Sequence, residues 1–321
     1  MSEKKEVLRL GISTCLLGKP VRYDGQHKLD LWLRDRLGAF ADYVPVCPEV
    51  EAGFGTPREA MRLVGEPEAP RLYTQRSKQD VTETMQRWIQ RRLLELEKER
   101  LDGYIFKSKS PSSGMERVKL YPSVEGGMPT KKGVGLFARA FMDRFPLLPV
   151  EEEGRLHDDA LRENFIERVF VMHRWNIMTS TRNRPADLQT FHATHKLLLM
   201  AHAPQVYRDL GPLVAQTTQT NLKQSMGQYI RACMEGLKRP ATPARHVNVL
   251  QHILGYFKKE LSADEKQECA ELVASYRAGL VPLIVPITLM NHYIRKFGNE
   301  YLANQIYLHP HPAELALRNH T

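Results

Sequence analysis

"DVTETMQRWIQRRLLELEKERLDGYIFKSKSPSSG", Asp80 to Gly114, places a helix-like segment, a strand-like one and a polar loop in direct succession. Met85, Trp88, Ile89, Leu93 and Leu96 recur at three- and four-residue spacing, so the first segment reads as an amphipathic helix. Asp80 or Thr82 can cap its start and Gly103 can end it. Tyr104 to Ser108, "YIFKS", then reads as a buried strand. Working outward, "VLRLGIS" (Val7 to Ser13) and the shorter "DYVPV" (Asp42 to Val46) are further strands, with helix-like "HKLDLWLRDRLGAF" between them. Strands alternating with helices predict an α/β, Rossmann-like domain with a mostly parallel sheet.

At 321 residues the chain exceeds the size at which one core stops growing, so two domains are expected. "PLLPVEEEGRLHDD" (Pro146 to Asp159) combines prolines, a glycine and an acidic cluster, as a domain boundary does. The reading is residues 1–150 for the α/β domain and 151–321 for an all-α domain. In the second part "LRENFIERVFVMHRWNIM", "LQTFHATHKLLLMAH", "NLKQSMGQYIRACMEGLK", "HVNVLQHILGYFKKEL", "ADEKQECAELVASYRAG" and "LMNHYIRKFGNEYLANQ" all carry helical periodicity.

The charged start "MSEKKEVLRL" lacks the apolar stretch of a signal peptide, so a cytoplasmic protein is expected. The most apolar run, "GLVPLIVPITLM" (Gly279 to Met290), is too short and too broken by Pro282 and Pro286 to span a bilayer. A net charge of +9 points to an anionic partner. Four scattered cysteines do not make a disulfide framework, which leaves metal binding or burial.

In parallel α/β sheets, ligands bind beyond the carboxyl ends of the strands. Cys15 follows the first strand, Cys47 the second, and "SKSPSSG" the third, so these three loops are expected to meet. Two cysteines alone complete neither a structural zinc site nor a usual cysteine-ligated iron-sulfur cluster. A third thiolate is wanting, and Ser113 raises the question of whether its place should hold cysteine. Cys233 and Cys269 sit in helix-like segments without partner spacing and read as core residues.

"CLLGKPVRYDG", "VCPEV", "GFGTPREA", "DVT" and "SPSSG", in that order, resemble the thiouracil desulfurase family over roughly the first 145 residues. Members show "SPSCG" in the last loop and hold a 4Fe-4S cluster on three cysteines. The resemblance implies that Cys15 and Cys47 are ligands, that Ser113 occupies the third ligand position, and that Glu49 and Ser110 are catalytic. Glu49 would act as general base toward water, and Ser110 would relay a proton or orient the thiocarbonyl. "THKLLLMAH", "NVLQHILGYFKKEL", "YRAGLVPLIVPITLMNHY" and "YLHPHPAELALRN" make the second half similar to the YbgA-like domain. The fusion resembles bacterial tRNA 4-thiouridine desulfidases, which implies tRNA as partner and an RNA-binding role for the helical domain.

Arg58 is a candidate for holding phosphate or uracil oxygens. Lys196 and Lys258 are candidates for phosphate contacts, along a surface expected to include His195, Arg245 and "YFKK" (Tyr256 to Lys259). Eleven of the 12 histidines follow residue 150, yet His192, His195 and His202 join no recognised ligand pattern. Two other readings stay open: a tRNA-binding protein whose first domain has lost its cluster, and a desulfurase of free thiouracil.

Overall fold

A computed structural model describes residues 7–182 and 184–320. The chain is mixed α/β and divides into two compact units, Met1–His157 and Asp158–Thr321.

The first unit is built on a four-stranded sheet of β1 (Leu8–Ser13), β2 (Ala41–Val46), β5 (Gly103–Phe106) and β8 (Val150–Glu152), in the order β2-β1-β5-β8. All three pairings are parallel. Leu8, Leu10, Ile12, Tyr104, Ile105 and Phe106 are fully buried, as expected of strands covered on both faces. Helix α1 (Thr82–Lys98) packs Met85, Trp88, Ile89 and Leu96 into the core beside Phe137 and Phe141 of α2 (Leu136–Arg144).

Three local expectations are corrected. Neither polar candidate caps α1 through its side chain at the N-cap, which is Val81. Asp80 Oδ1 accepts from the Thr82 N–H, and Thr82 Oγ1 accepts from the Leu72 N–H of β4 (Arg71–Thr74). Helix α1 also stops at Lys98, where Arg100 turns the chain at φ 49° and Asp102 binds the Arg9 N–H at 2.7 Å; Gly103 opens β5. The helix expected before β2 is only a π turn (Trp32–Arg36) followed by a 3-10 turn (Leu37–Phe40).

A second sheet, unforeseen, runs β4-β3-β6-β7 with β3 (Met61–Val64), β6 (Val118–Tyr121) and β7 (Thr130–Gly133). Its strands have four residues each, too few for an alternating pattern to stand out. The acidic run Glu151 to Glu153 is not linker: its first two residues lie in β8, paired with Ile105 and Phe106.

The second unit is helical: α3 (Asp159–Thr181), α4 (Pro185–His202), α5 (Pro204–Ala215), α6 (Leu222–Leu237), α7 (Pro243–Gly255), α8 (Ala263–Arg277), α9 (Ile284–Phe297) and the short α10 (Glu300–Ala303). Helix α5 went unread because Pro204 and Pro212 look like breaks, although Pro204 sits at the helix start, where its missing N–H costs nothing. The same logic admits Pro286 into the first turn of α9. Helix α7 ends at Gly255, so Tyr256 to Glu260 form turns. Among the described residues no helix is long and apolar enough to cross a membrane.

Candidate active site

Three adjacent parallel strands deliver three loops to one side of the sheet. Cys15 lies in a 3-10 turn directly after β1, Cys47 directly after β2, and Lys107 to Gly114 after β5. The Ser13 hydroxyl accepts from the Lys107 N–H at 2.9 Å, tying the first loop to the third. Cys15, Cys47, Glu49, Arg58, Ser110 and Ser113 all line one cavity of about 760 Å³. Lys196 and Lys258 belong to the helical unit.

The Ser110–Gly114 loop is held by α2. The N–H groups of Leu136, Phe137 and Ala138 at the helix start donate to the carbonyls of Pro111 and Ser112, and the Gly135 N–H donates to Gly114 O at 2.8 Å. A side chain at Gly135 would put its Cβ 2.5 Å from the Ser112 carbonyl. Gly135→Ala is therefore expected to destabilise the protein by about 1–3 kcal/mol, because backbone rather than a movable side chain must shift. Thermal unfolding of the variant checks this; an unchanged midpoint would mean the loop yields freely.

Cys15 and Cys47 are each 8 % exposed, and both line the cavity. Burial pushes the Cys15 thiol up to about 11, with Lys107 pulling it down and Glu49 adding to the rise. Burial and then Glu49 push Cys47 up to about 12, against Arg58. The neighbouring cations Lys107, Arg22 and Arg58 thus favour thiolates without overcoming desolvation.

Glu49 is the hub of the polar groups. Its Oε1 accepts from the hydroxyls of Ser112 and, at 3.4 Å, Ser110; its Oε2 lies 3.6 Å from Arg58 Nη2 and 3.7 Å from Cys47 Sγ. Arg58 is pinned by the Val21 and Gly55 carbonyls at 2.9 and 3.0 Å, so it holds Glu49 from a fixed position. The Ser110 hydroxyl also accepts from the Ser113 N–H at 3.1 Å. Ser113 is 2 % exposed. Two thiols and one hydroxyl therefore stand at the mouths of the three loops.

Two residues were not singled out from sequence. Ser112 donates its hydroxyl to Glu49, a role that its place in a proline-containing loop does not announce. Glu153 follows β8 and lines the cavity; it accepts from Lys107 Nζ, from the Ser108 N–H at 2.7 Å and from the Ser108 hydroxyl at 2.8 Å. Knowing that β8 pairs with β5 was the missing signal for Glu153.

In the helical unit Lys196 Nζ lies 5.6 Å from the Tyr207 ring centroid, and Lys258 and Tyr256 are both exposed. His195, expected on the same surface, is a core residue: it is 2 % exposed, stacks on Phe191 and lies 2.7 Å from the Phe191 carbonyl. Phe257 of "YFKK" is likewise buried. Arg245 donates to the His202 carbonyl at 2.6 Å. Cys233 and Cys269 are fully buried.

Residues 10–153 match the family described as 2-thiouracil desulfurase. Residues 196–312 match the family described as a protein of unknown function, DUF1722. Among curated proteins, YbgA of Escherichia coli (strain K12), described as uncharacterized, is 34 % identical over 153 residues, which span 47 % of this chain and 90 % of that protein. Among solved structures, the [4Fe-4S]-dependent thiouracil desulfidase TudS is 32 % identical over 47 % of this chain and 94 % of its own, with a TM-score of 0.38. The chain therefore belongs, through its helical half, to the family of YbgA, and carries ahead of that half a 2-thiouracil desulfurase domain.

Proposed function

We propose that the chain is an iron-sulfur-dependent desulfidase that converts 4-thiouridine in tRNA to uridine and releases sulfide. The observation that carries this reading is the meeting of Cys15, Cys47, Ser113, Glu49 and Ser110 at one cavity within a 2-thiouracil desulfurase domain.

The cavity and the two thiols fit a 4Fe-4S cluster, with Cys15 and Cys47 as soft donors. The third place departs from the fit, since the Ser113 hydroxyl is a hard and weak donor. When bound, such a cluster supplies an iron with an open position, a Lewis acid for a thiocarbonyl sulfur. The remaining work falls to the protein's own groups. Glu49 Oε2 takes a proton from the attacking water, and Arg58 fixes the carboxylate in place. Ser110, hydrogen-bonded to Glu49, orients the thiopyrimidine and can pass the proton on.

The +9 charge and the exposed Lys258 and Tyr256 support tRNA as the partner of the helical unit. The logarithm of the affinity for tRNA is expected to fall linearly with log salt, at a slope of about −0.9 per phosphate contact for duplex-like backbone. Lys196→Glu and Lys258→Glu are each expected to flatten the slope, as measured by filter binding of the full chain across a salt series. Salt-independent affinity would sink this part of the reading. Offering tRNA bearing 4-thiouridine and free thiouracil as rival substrates tests the rest. Turnover of the free base alone would make the chain a thiouracil desulfurase, and tRNA binding with turnover of neither, even after Ser113→Cys, would leave an RNA-binding protein.

A further inference from the structure

Helix α3 carries two carboxylates one turn apart, Glu163 and Glu167, and each is held by two nitrogen donors. Arg318 Nε lies 2.9 Å from Glu163 Oε1 and Arg318 Nη2 lies 2.7 Å from Glu167 Oε1. His320 Nε2 is 2.8 Å from Glu163 Oε2, and His202 Nε2 is 3.0 Å from Glu167 Oε2. Burial pushes the Glu167 carboxyl up, but the His202 N–H and the Arg318 charge outweigh it and hold it well below the usual carboxylate range. The second nitrogen of His202, Nδ1, lies 2.9 Å from the Arg239 carbonyl. Both ring nitrogens of His202 thus lie against acceptor oxygens. Arg318 reaches both carboxylates, and an imidazole nitrogen lies against the other oxygen of each.

Against this network opens a cavity of about 250 Å³, within the helical unit. Four further groups line it: His246, Tyr276, Arg277 and His320. Each has donor capacity left over. The Tyr307 hydroxyl is fully buried and its partner is His246 Nδ1 at 2.9 Å, so the phenol proton goes to Nδ1 and the His246 proton sits on Nε2. The Tyr276 hydroxyl has no hydrogen-bond partner among the described residues; burial, then the Glu163 charge, push it up to about 12, so it keeps its proton. Arg277 is exposed and makes no ion pair among the described residues. The Glu163 hydrogen bond raises His320 above the usual histidine value, against its burial. Helix α7 also begins at this wall, at Pro243, and brings its positive end.

Glu163, Glu167 and His311 bring ligand atoms within 4.8 Å of one another, which suggests a metal ion at first sight. The charges oppose it. All four carboxylate oxygens already accept from Arg318 or an imidazole, and the Arg318 cation lies against both carboxylates. With every carboxylate oxygen engaged, the cation left unpaired at the cavity among the described residues is Arg277. An anion with several acceptor oxygens matches these donors.

We propose that this cavity binds a terminal phosphate monoester, with Arg277, Tyr276, His246 and His320 as its donors. A phosphate monoester presents three terminal oxygens and up to two negative charges, whereas a carboxylate presents two oxygens and one charge. The same group occurs on a free nucleoside monophosphate and at a phosphorylated RNA end.

Calorimetric titration of the full chain with uridine 5′-monophosphate, inorganic phosphate and uridine tests the assignment. The monophosphate is expected to bind at least about tenfold tighter than uridine, since the charge-assisted bonds go to the phosphoryl oxygens. Arg277→Ala, at an exposed and unpaired site, is expected to remove most of that difference, and Tyr276→Phe part of it. Short RNA oligonucleotides with 5′-phosphate or 5′-hydroxyl ends separate the two sources. A phosphate-dependent gain that Arg277→Ala abolishes assigns the RNA end; a gain seen only with the mononucleotide assigns the free nucleotide. Equal binding of uridine and its monophosphate, no binding of any probe at millimolar concentration, or unchanged monophosphate affinity in Arg277→Ala would each overturn the proposal.

Discussion

Glu49→Ala is expected to lower desulfuration by about 10²–10⁴-fold, the range for loss of a positioned general base, while leaving iron content unchanged. The carboxylate touches Cys47 Sγ, Ser110, Ser112 and Arg58, so its loss empties the hub of the polar groups without removing a thiol. Iron content and turnover must be read on the same preparation, in the chain as it stands and in a Ser113→Cys background. Loss of iron in the alanine variant would make Glu49 a ligand or a support for the cluster rather than a base. Retained turnover would assign the proton transfer to another group.

Ser113→Cys is expected to have the opposite sign, raising cluster retention and desulfuration together. A serine alkoxide is hard and costly to form at neutral pH, whereas a thiolate is soft and forms readily beside a metal. Ser113 is almost fully buried next to Ser112, and its N–H is already bound by Ser110, so a sulfur there replaces an oxygen within a fixed loop. Affinity for tRNA is expected to stay the same, because the proposed phosphate contacts lie in the other unit. Iron analysis after anaerobic reconstitution reads the first effect. A cysteine variant that binds no more iron than the serine chain would show that Ser113 does not stand at a ligand position.

Much of this site could be read from the sequence because its loops follow apolar strands. β1 is apolar apart from Arg9 and the closing Ser13, and β5 is apolar throughout, so the places of Cys15 and Lys107 to Gly114 at strand ends followed from pattern, and "VCPEV" added Cys47 and Glu49. Glu153 could not be found that way. It depends on the parallel pairing of β5 with β8, a three-residue strand inside an acidic, proline-flanked segment that looks like linker. His195 was misplaced because α4 is apolar over Leu197, Leu198 and Leu199, all buried, and periodicity then fails to say which face meets solvent. The cavity beside Glu163 and Glu167 was invisible for a third reason. Glu163 and Glu167 sit at one end of the helical sequence and Arg318 and His320 at the other, and no local motif joins residues more than 150 positions apart.

The central claim is that three strand-end loops build a centre that removes sulfur from thiolated tRNA. The most direct test measures sulfide released and 4-thiouridine lost from tRNA, in one anaerobic reaction, for the Ser113→Cys chain reconstituted with iron and sulfide. The account predicts equal amounts of sulfide formed and 4-thiouridine converted to uridine, with neither change when Glu49→Ala is added. Bound iron with no loss of 4-thiouridine, or loss of 4-thiouridine without release of sulfide, would contradict it.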